Sequence, residues 1–230
     1  MVPILDHLSA VLFDVDGTLI DSNAAHAETW AQALTEHGCP RDAGQVRPLI
    51  GMGSDKLLPV IAGLEAESRE GRTIAQRKQE LFAERLPRLQ PTRGARALVA
   101  HLRERGKTLV VATSAGAEEM HAILRQAGVA DLIPARTSSD DAEESKPDPD
   151  IVLAALRRAG AAPDATVMIG DTPYDIEASS RAGVRAVGLE CGGWGCDDLR
   201  GAVACYRDPA DLLARYTESV LAPPKHLIER

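Results

Sequence analysis

Positive charge is in short supply: 26 lysines and arginines face 34 aspartates and glutamates, a net charge of -8 over 230 residues. That balance argues against non-specific attraction to nucleic acid or to an acidic membrane surface. It leaves room for a local basic pocket, so a small charged ligand is the expected partner. Long apolar runs are missing too. No stretch approaches the roughly 18 apolar residues of a membrane-spanning helix. The start, MVPILDHLSAVLFD, has neither the basic opening nor the small-residue cleavage site of a signal peptide, so a cytoplasmic location is expected. Cysteine is sparse: Cys39, Cys191, Cys196 and Cys205 are too few and too irregularly placed for the disulfide framework of a secreted domain. CGGWGC has no CxxC spacing and no second pair to match it. It reads as a glycine-rich loop anchored by Trp194 rather than as a metal or redox site.

What is present is an apolar fraction of 44%, enough for a packed interior, arranged in four β-branched runs: AVLF at 10–13, TLVVA at 108–112, TVMI at 166–169 and RAVGL at 185–189. They show no polar alternation, which suits parallel strands covered on both faces. Shorter strands are expected near 132–136 and 202–206. Helical patterns occupy the intervals. AEEMHAILRQAG sets Met120, Ile123, Leu124 and Ala127 on one face; DPDIVLAALRRAG offers Asp148 as N-cap and Pro149 as first helical residue; TPYDIEASSRAG offers Thr172 and Pro173 in the same roles. The interval from 20 to 87 holds too much chain for one crossover. One helix is expected over SNAAHAETWAQALTEHG, with Ser22 or Asn23 as cap and Gly38 as terminator, and another over TIAQRKQELFAERL, where Ile74, Lys78, Leu81, Phe82 and Leu86 share a stripe. The tail after Pro223 is expected to be loose.

Ligands of open α/β sheets bind where strands end, so the residues just after each apolar run should converge. They form a coherent set: Asp14 and Asp16 in DVDGT, Thr113 and Ser114 after the second run, Lys146 in ESKPDP, and Asp171 and Asp175 in GDTPYD. Singly these have ordinary readings, as turn residues or helix N-terminal acids. Together, carboxylates so crowded repel one another by several kcal/mol unless a cation joins them, and a hard divalent ion with oxygen ligands is the usual solution. Mg²⁺ is expected, with Asp14 and Asp171 as direct ligands and Asp175 holding a metal-bound water. Lys146 and the hydroxyls remain for an anion.

In this order the four motifs resemble the haloacid-dehalogenase superfamily of aspartate-nucleophile hydrolases, in its phosphoglycolate-phosphatase and β-phosphoglucomutase branch. The resemblance covers residues 10 to 190 and implies a Rossmann-like α/β core, a parallel sheet flanked by helices (1–19 and 88–230), with a helical cap (20–87) inserted after the first strand. It implies Asp14 as nucleophile forming an aspartyl-phosphate, and Asp16 as the acid and base for the leaving group, its backbone carbonyl being a metal ligand. Thr113, Ser114 and Lys146 hold the phosphoryl oxygens, and Gly17 and Thr18 turn the loop amides inward. Within that superfamily an aspartate at position 16 favours phosphate esters over halides or phosphonates. The expected function is therefore a Mg²⁺-dependent phosphatase of a small phosphorylated metabolite, acting as monomer or homodimer. A phosphomutase and a phospho-accepting signalling domain are the alternatives. The arginine usual in the mutase cap is replaced around GMGSDK by Ser54 and Lys56, which lowers the mutase reading. His26, Trp30, Ser54, Asp55 and Lys56 are the cap residues expected to face the substrate, with Lys56 as a binding residue.

Overall fold

The runs that lack polar alternation become strands because both of their faces are covered. In the computed structural model, which describes residues 8–223, β1 (Ala10–Phe13), β2 (Thr108–Ala112), β3 (Ala135–Thr137), β4 (Thr166–Gly170), β5 (Arg185–Leu189) and β6 (Ala204–Tyr206) form one sheet in the order β3-β2-β1-β4-β5-β6. Every neighbouring pair is parallel, with Phe13 opposite both Val111 and Ile169. The tail after Pro223 lies outside the described residues. Side chains alternate across the sheet. Val11, Phe13, Val111, Ile169 and Val187 point into one core, and Leu12, Val110, Ala112, Met168 and Ala186 into the other.

The helices are α1 (Asn23–Glu36), α2 (Ala43–Val46), α3 (Ser54–Ala62), α4 (Arg69–Arg85), α5 (Ala95–Glu104), α6 (Ala117–Gln126), α7 (Asp150–Ala159), α8 (Pro173–Arg181) and α9 (Pro209–Ala214). α5, α6 and α9 cover the first core through Leu98, Leu102, Ile123, Leu124 and Leu212; α7 and α8 cover the second through Ile151, Val152, Ala155 and Ile176. Each such side chain contributes about 1.5–3 kcal/mol by leaving water. α1 to α4 hold a third apolar cluster of their own, including Trp30, Leu34, Leu57, Leu58, Ile74 and Leu81, while Ala25, Phe82 and Leu86 join the first core. The stripe of α4 is buried as its spacing requires, Lys78 included. No helix among the described residues is long and apolar enough to cross a membrane.

Three helix starts differ from expectation, each for a local reason. α7 begins at Asp150 with Pro149 in the N-cap position, because Asp148 is engaged by Arg181 at 2.9 Å and Lys56 at 3.1 Å instead of by backbone. α4 starts before Thr73, at Arg69, because the Ser68 hydroxyl accepts from the Gly71 amide at 2.9 Å. Ser22 sits at the N-cap position of α1 without capping it; its hydroxyl donates to Asp16 at 2.6 Å.

Strand order places the site. The chain leaves β1 toward β2 and β3 on one side, then returns to place β4 on the other, so the crevice at the carboxyl ends of β1 and β4 is where the winding reverses. Asp14 follows β1, and Asp171 follows β4.

Candidate active site

Past β1 the chain turns back on itself, with the Gly17 amide donating to the Ile20 carbonyl at 2.8 Å and the Leu19 amide to the Val15 carbonyl at 2.7 Å. Gly17 has φ 75, and a Cβ there would strike the Asp171 carboxylate and the Asn23 amide, so both conformation and space require glycine. Past β4 a capping box fixes α8: the Thr172 hydroxyl accepts from the Asp175 amide, and Asp175 Oδ2 accepts from the Thr172 amide at 3.0 Å and hydroxyl at 2.7 Å.

These turns bring Asp14, Asp171 and Asp175 together as a buried triad whose candidate ligand atoms lie within 4.8 Å of one another. A single buried ammonium bridges two of them: Lys146 Nζ is 2.6 Å from Asp14 Oδ1 and 2.7 Å from Asp175 Oδ1. The latter oxygen makes no aligned hydrogen bond, only this ion pair. Asp171 accepts from the Thr18 hydroxyl and the Asn23 amide, both at 2.8 Å. Gly192 presses against the same carboxylate so closely that a Cβ would collide with it, and its carbonyl accepts from Asn23 at 3.2 Å and from Arg47.

Three carboxylates against one ammonium leave the charge unbalanced. Burial and then Asp175 push Asp14 well above the usual carboxylate range despite Lys146. Burial and Asp175 likewise push Asp171 up to about 7, against the hydrogen bonds from Thr18 and Asn23. Burial works against the charge of Lys146, but Asp14 and Asp175 outweigh it and raise its proton affinity. A set of hard oxygen donors with unoffset negative charge is what a small divalent cation binds, so the triad fits a metal ion.

Asp16 is treated differently. Its Oδ1 accepts from Ser22 and lies 2.8 Å from His26 Nε2, and the His26 ring stacks on Phe82 at 3.9 Å. Burial opposes its charge, but His26 and Ser22 prevail and hold it at about 2. Two neighbouring aspartates of one loop thus have opposite proton affinities, the separation expected of groups with different chemical tasks.

Asp14 and Asp16 line a cavity of about 260 Å³ with Thr113 and Ser114 on the sheet side and His26, Trp30, Ser54 and Asp55 on the other. The Thr113 hydroxyl accepts from the Ala115 amide at 3.1 Å. Contacts across the rim join the two sides: Ser114 Oγ donates to the Gly51 carbonyl at 3.3 Å, the Gly53 amide to Ser145 Oγ at 3.0 Å, and the Tyr174 hydroxyl to the Pro48 carbonyl at 2.6 Å.

Two expected binding residues lie elsewhere. Lys56 is drawn out of the cavity by Glu144 and Asp148, which satisfy its charge at the rim. Thr18 is fully buried beneath Asp171 and orients that carboxylate instead of meeting a ligand. His26 reaches the site as expected, yet it is spent on Asp16. Asn23, Arg47 and Glu119 carried no signal in their local sequence. Cys191 donates its thiol to the Gly17 carbonyl at 3.1 Å, and Trp194 packs against the second core, so CGGWGC is a loop wedged beside Asp171.

The chain is similar to known proteins over most of its length. The family described as haloacid dehalogenase-like hydrolase matches residues 11–189. "Probable phosphatase IndB" of Dickeya dadantii is 31% identical over 196 residues, 84% of this chain and 85% of its own length. The phosphoglycolate phosphatase of Rhodospirillum rubrum is 30% identical over 192 residues, 80% of each chain. The crystal structure of a hydrolase from Pseudomonas syringae superposes with a TM-score of 0.86 at 28% identity, covering 91% of this chain and 98% of that one. The match over most of the length, together with the parallel sheet and the buried acidic triad at its switch point, means that this chain belongs to the haloacid dehalogenase-like hydrolases.

Proposed function

We propose that the protein is a Mg²⁺-dependent phosphatase of small organic phosphate monoesters, working through an aspartyl-phosphate on Asp14. The observation that carries this reading is the pairing of Asp14, tethered to Lys146 beside the acidic triad, with Asp16, held by Ser22 and His26 on the same cavity wall. Mg²⁺ would be held by Asp14, Asp171 and the Asp16 carbonyl, with Asp175 behind a bound water, and would offset the charge of the carboxylates and the phosphoryl group.

Asp14 attacks phosphorus while Lys146 and Thr113 steady the phosphoryl oxygens. As the ester P–O bond breaks, the leaving oxygen takes a proton from Asp16. The approach of a phosphate dianion raises the proton affinity of Asp16, whose carboxylate takes up from solvent the proton it passes on. Water then attacks the acyl-phosphate, gives its proton back to Asp16, and the P–O bond to Asp14 breaks, releasing orthophosphate. α1 to α4 act as a cap, closing the cavity against bulk water and selecting the ester. A positioned acid–base beside the nucleophile supports rapid turnover over storage of a phosphoryl signal.

The test is phosphate release from a panel of esters with Mg²⁺ or with chelator, for wild type and Asp14→Asn. Turnover that needs both the metal and Asp14 is expected; hydrolysis that survives either loss overturns the reading.

A further inference from the structure

Asp14 and Asp16, with Lys146 behind Asp14, account for the phosphate end of the cavity but not for the rest of its wall, where the organic half of an ester would rest. That wall carries Trp30, Asp55 and Lys78 from the helices between β1 and β2, and Glu119 and Asp140 from the sheet side. Lys78 is the only lysine or arginine lining the cavity among the described residues. Its charge is already committed: the ammonium donates to both oxygens of Glu119, at 3.1 and 3.2 Å, and sits 4.9 Å from the centre of the Phe82 ring.

The second place that would draw an anion is the N-terminus of α6, which opens onto the cavity through Ala115 and Gly116. There the Ala117 amide donates to Asp140 Oδ2 at 3.4 Å, and Glu118 and Glu119 occupy the first turn, so the positive end of the helix is already answered by protein carboxylates. Asp55 takes the Ser145 amide at 3.1 Å on one oxygen. A carboxylate has acceptor capacity beyond one such bond, so Asp55 and Asp140 can also receive hydroxyl protons. Trp30 supplies an apolar surface for ring C–H groups.

We infer that the organic half of the substrate is a hydroxyl-bearing group with no second negative charge. This favours a sugar or cyclitol monophosphate over a bisphosphate, a nucleoside di- or triphosphate or a phosphorylated carboxylic acid. The inference rests on the phosphatase reading. A second anion would meet Asp55, Glu119 and Asp140 without a free cation, and that repulsion is the selective element. The same wall disfavours a bisphosphate-primed phosphomutase.

The experiment measures kcat/KM with Mg²⁺ for a hexose 6-phosphate, an inositol monophosphate, fructose 1,6-bisphosphate and phosphoglycolate, and calorimetric binding of the same four esters to the Asp14→Asn protein. The two esters whose organic half is an uncharged polyol are expected to lead the two that carry a second anion by at least about tenfold in both measurements. Glu119→Gln releases Lys78 and is expected to move the phosphoglycolate-to-hexose-phosphate ratio about tenfold toward phosphoglycolate. A purely structural Glu119 would lower all esters together, and an unchanged ratio overturns the inference. Hydrolysis led by phosphoglycolate or the bisphosphate overturns it while leaving the phosphatase reading intact. Neither turnover nor binding of any of the esters removes the phosphatase reading and the inference with it.

Discussion

TPYD at the start of α8 and DPAD at the start of α9 are the same local device used in two places. Each opens with a capping residue, Thr172 or Asp208, that accepts from the amide of an aspartate three residues on; each has proline in the first helical position. What differs is the company. Asp211 meets Arg207 and Arg215, which bind both its oxygens, and first Arg207, then its amide, hold it at about 2. Asp175 meets Lys146 and two further buried carboxylates. The edge helix has satisfied its charge, whereas the central one has gathered more negative charge than the protein itself offsets. Helix capping is therefore a property of the four residues, and function a property of what the sheet brings to them.

The largest expected effect separates the two regions outright. Asp14→Asn should lower phosphate release by at least about a thousandfold, as loss of a nucleophile does. Removing one of three crowded carboxylates should leave the melting temperature in chelator unchanged or raised. A parallel loss of stability would mean that Asp14 serves the fold. Next comes the matched pair. Asp175→Asn should cost about a hundredfold in activity through lost placement of Lys146 and the metal. Asp211→Asn should leave activity within about twofold but cost about 1–2 kcal/mol, read by denaturant unfolding, because a buried hydrogen-bonded acceptor is lost. Added Mg²⁺ should raise the melting temperature of the Asp211 variant and of wild type, but not that of Asp171→Asn.

Acid and base should pull the two regions in opposite directions. Asp171 binds its proton more tightly folded than unfolded, so its contribution to stability is full below the ordinary carboxylate value near 3.8 and is lost as pH rises through about 7. Asp211 binds its proton less tightly folded. Its contribution is present above about 3.8 and is lost as pH falls through about 2. In chelator, wild type should lose on the order of a few kcal/mol relative to Asp171→Asn between pH 5 and 8. Mg²⁺ should abolish that difference, and an identical pH profile for the two proteins would contradict the charge imbalance.

How much of this could be read from sequence depends on distance along the chain. Asp14, Asp16 and Asp171 stand just after apolar runs, with Asp175 four residues further on, so strand and ligand end were legible together, as was the capping of α8 by Thr172. Lys78 was visible as a charge on an apolar stripe, yet its partner Glu119 lies 41 residues away. Asn23 looked like an ordinary helix-start residue because Asp171 is 148 residues distant. Ser22 was legible as an N-cap, where its hydroxyl would accept from a helix amide, but it makes no cap bond and instead donates to the charged carboxylate of Asp16. Local patterns specify elements; only the fold tells a polar side chain which partner it has.

Lysines provide the weakest contrast and the finest test. Lys56 and Lys146 each bridge two carboxylates, Glu144 and Asp148 in one case and Asp14 and Asp175 in the other. The side chain of Lys146 is 1% exposed and that of Lys56 30%. Solvent screens the rim pairs of Lys56, and such exposed pairs contribute about 0–1 kcal/mol. The interior ammonium has no water to replace its partners. Lys56→Met should therefore change kcat less than about twofold and stability by under about 1 kcal/mol, with any effect confined to KM. Its reach across the rim to Glu144 and Asp148 links the helices between β1 and β2 to the sheet side, so a small rise in KM at low salt that vanishes at high salt is the expected signature. A large fall in kcat would instead return Lys56 to the cavity and to the phosphate.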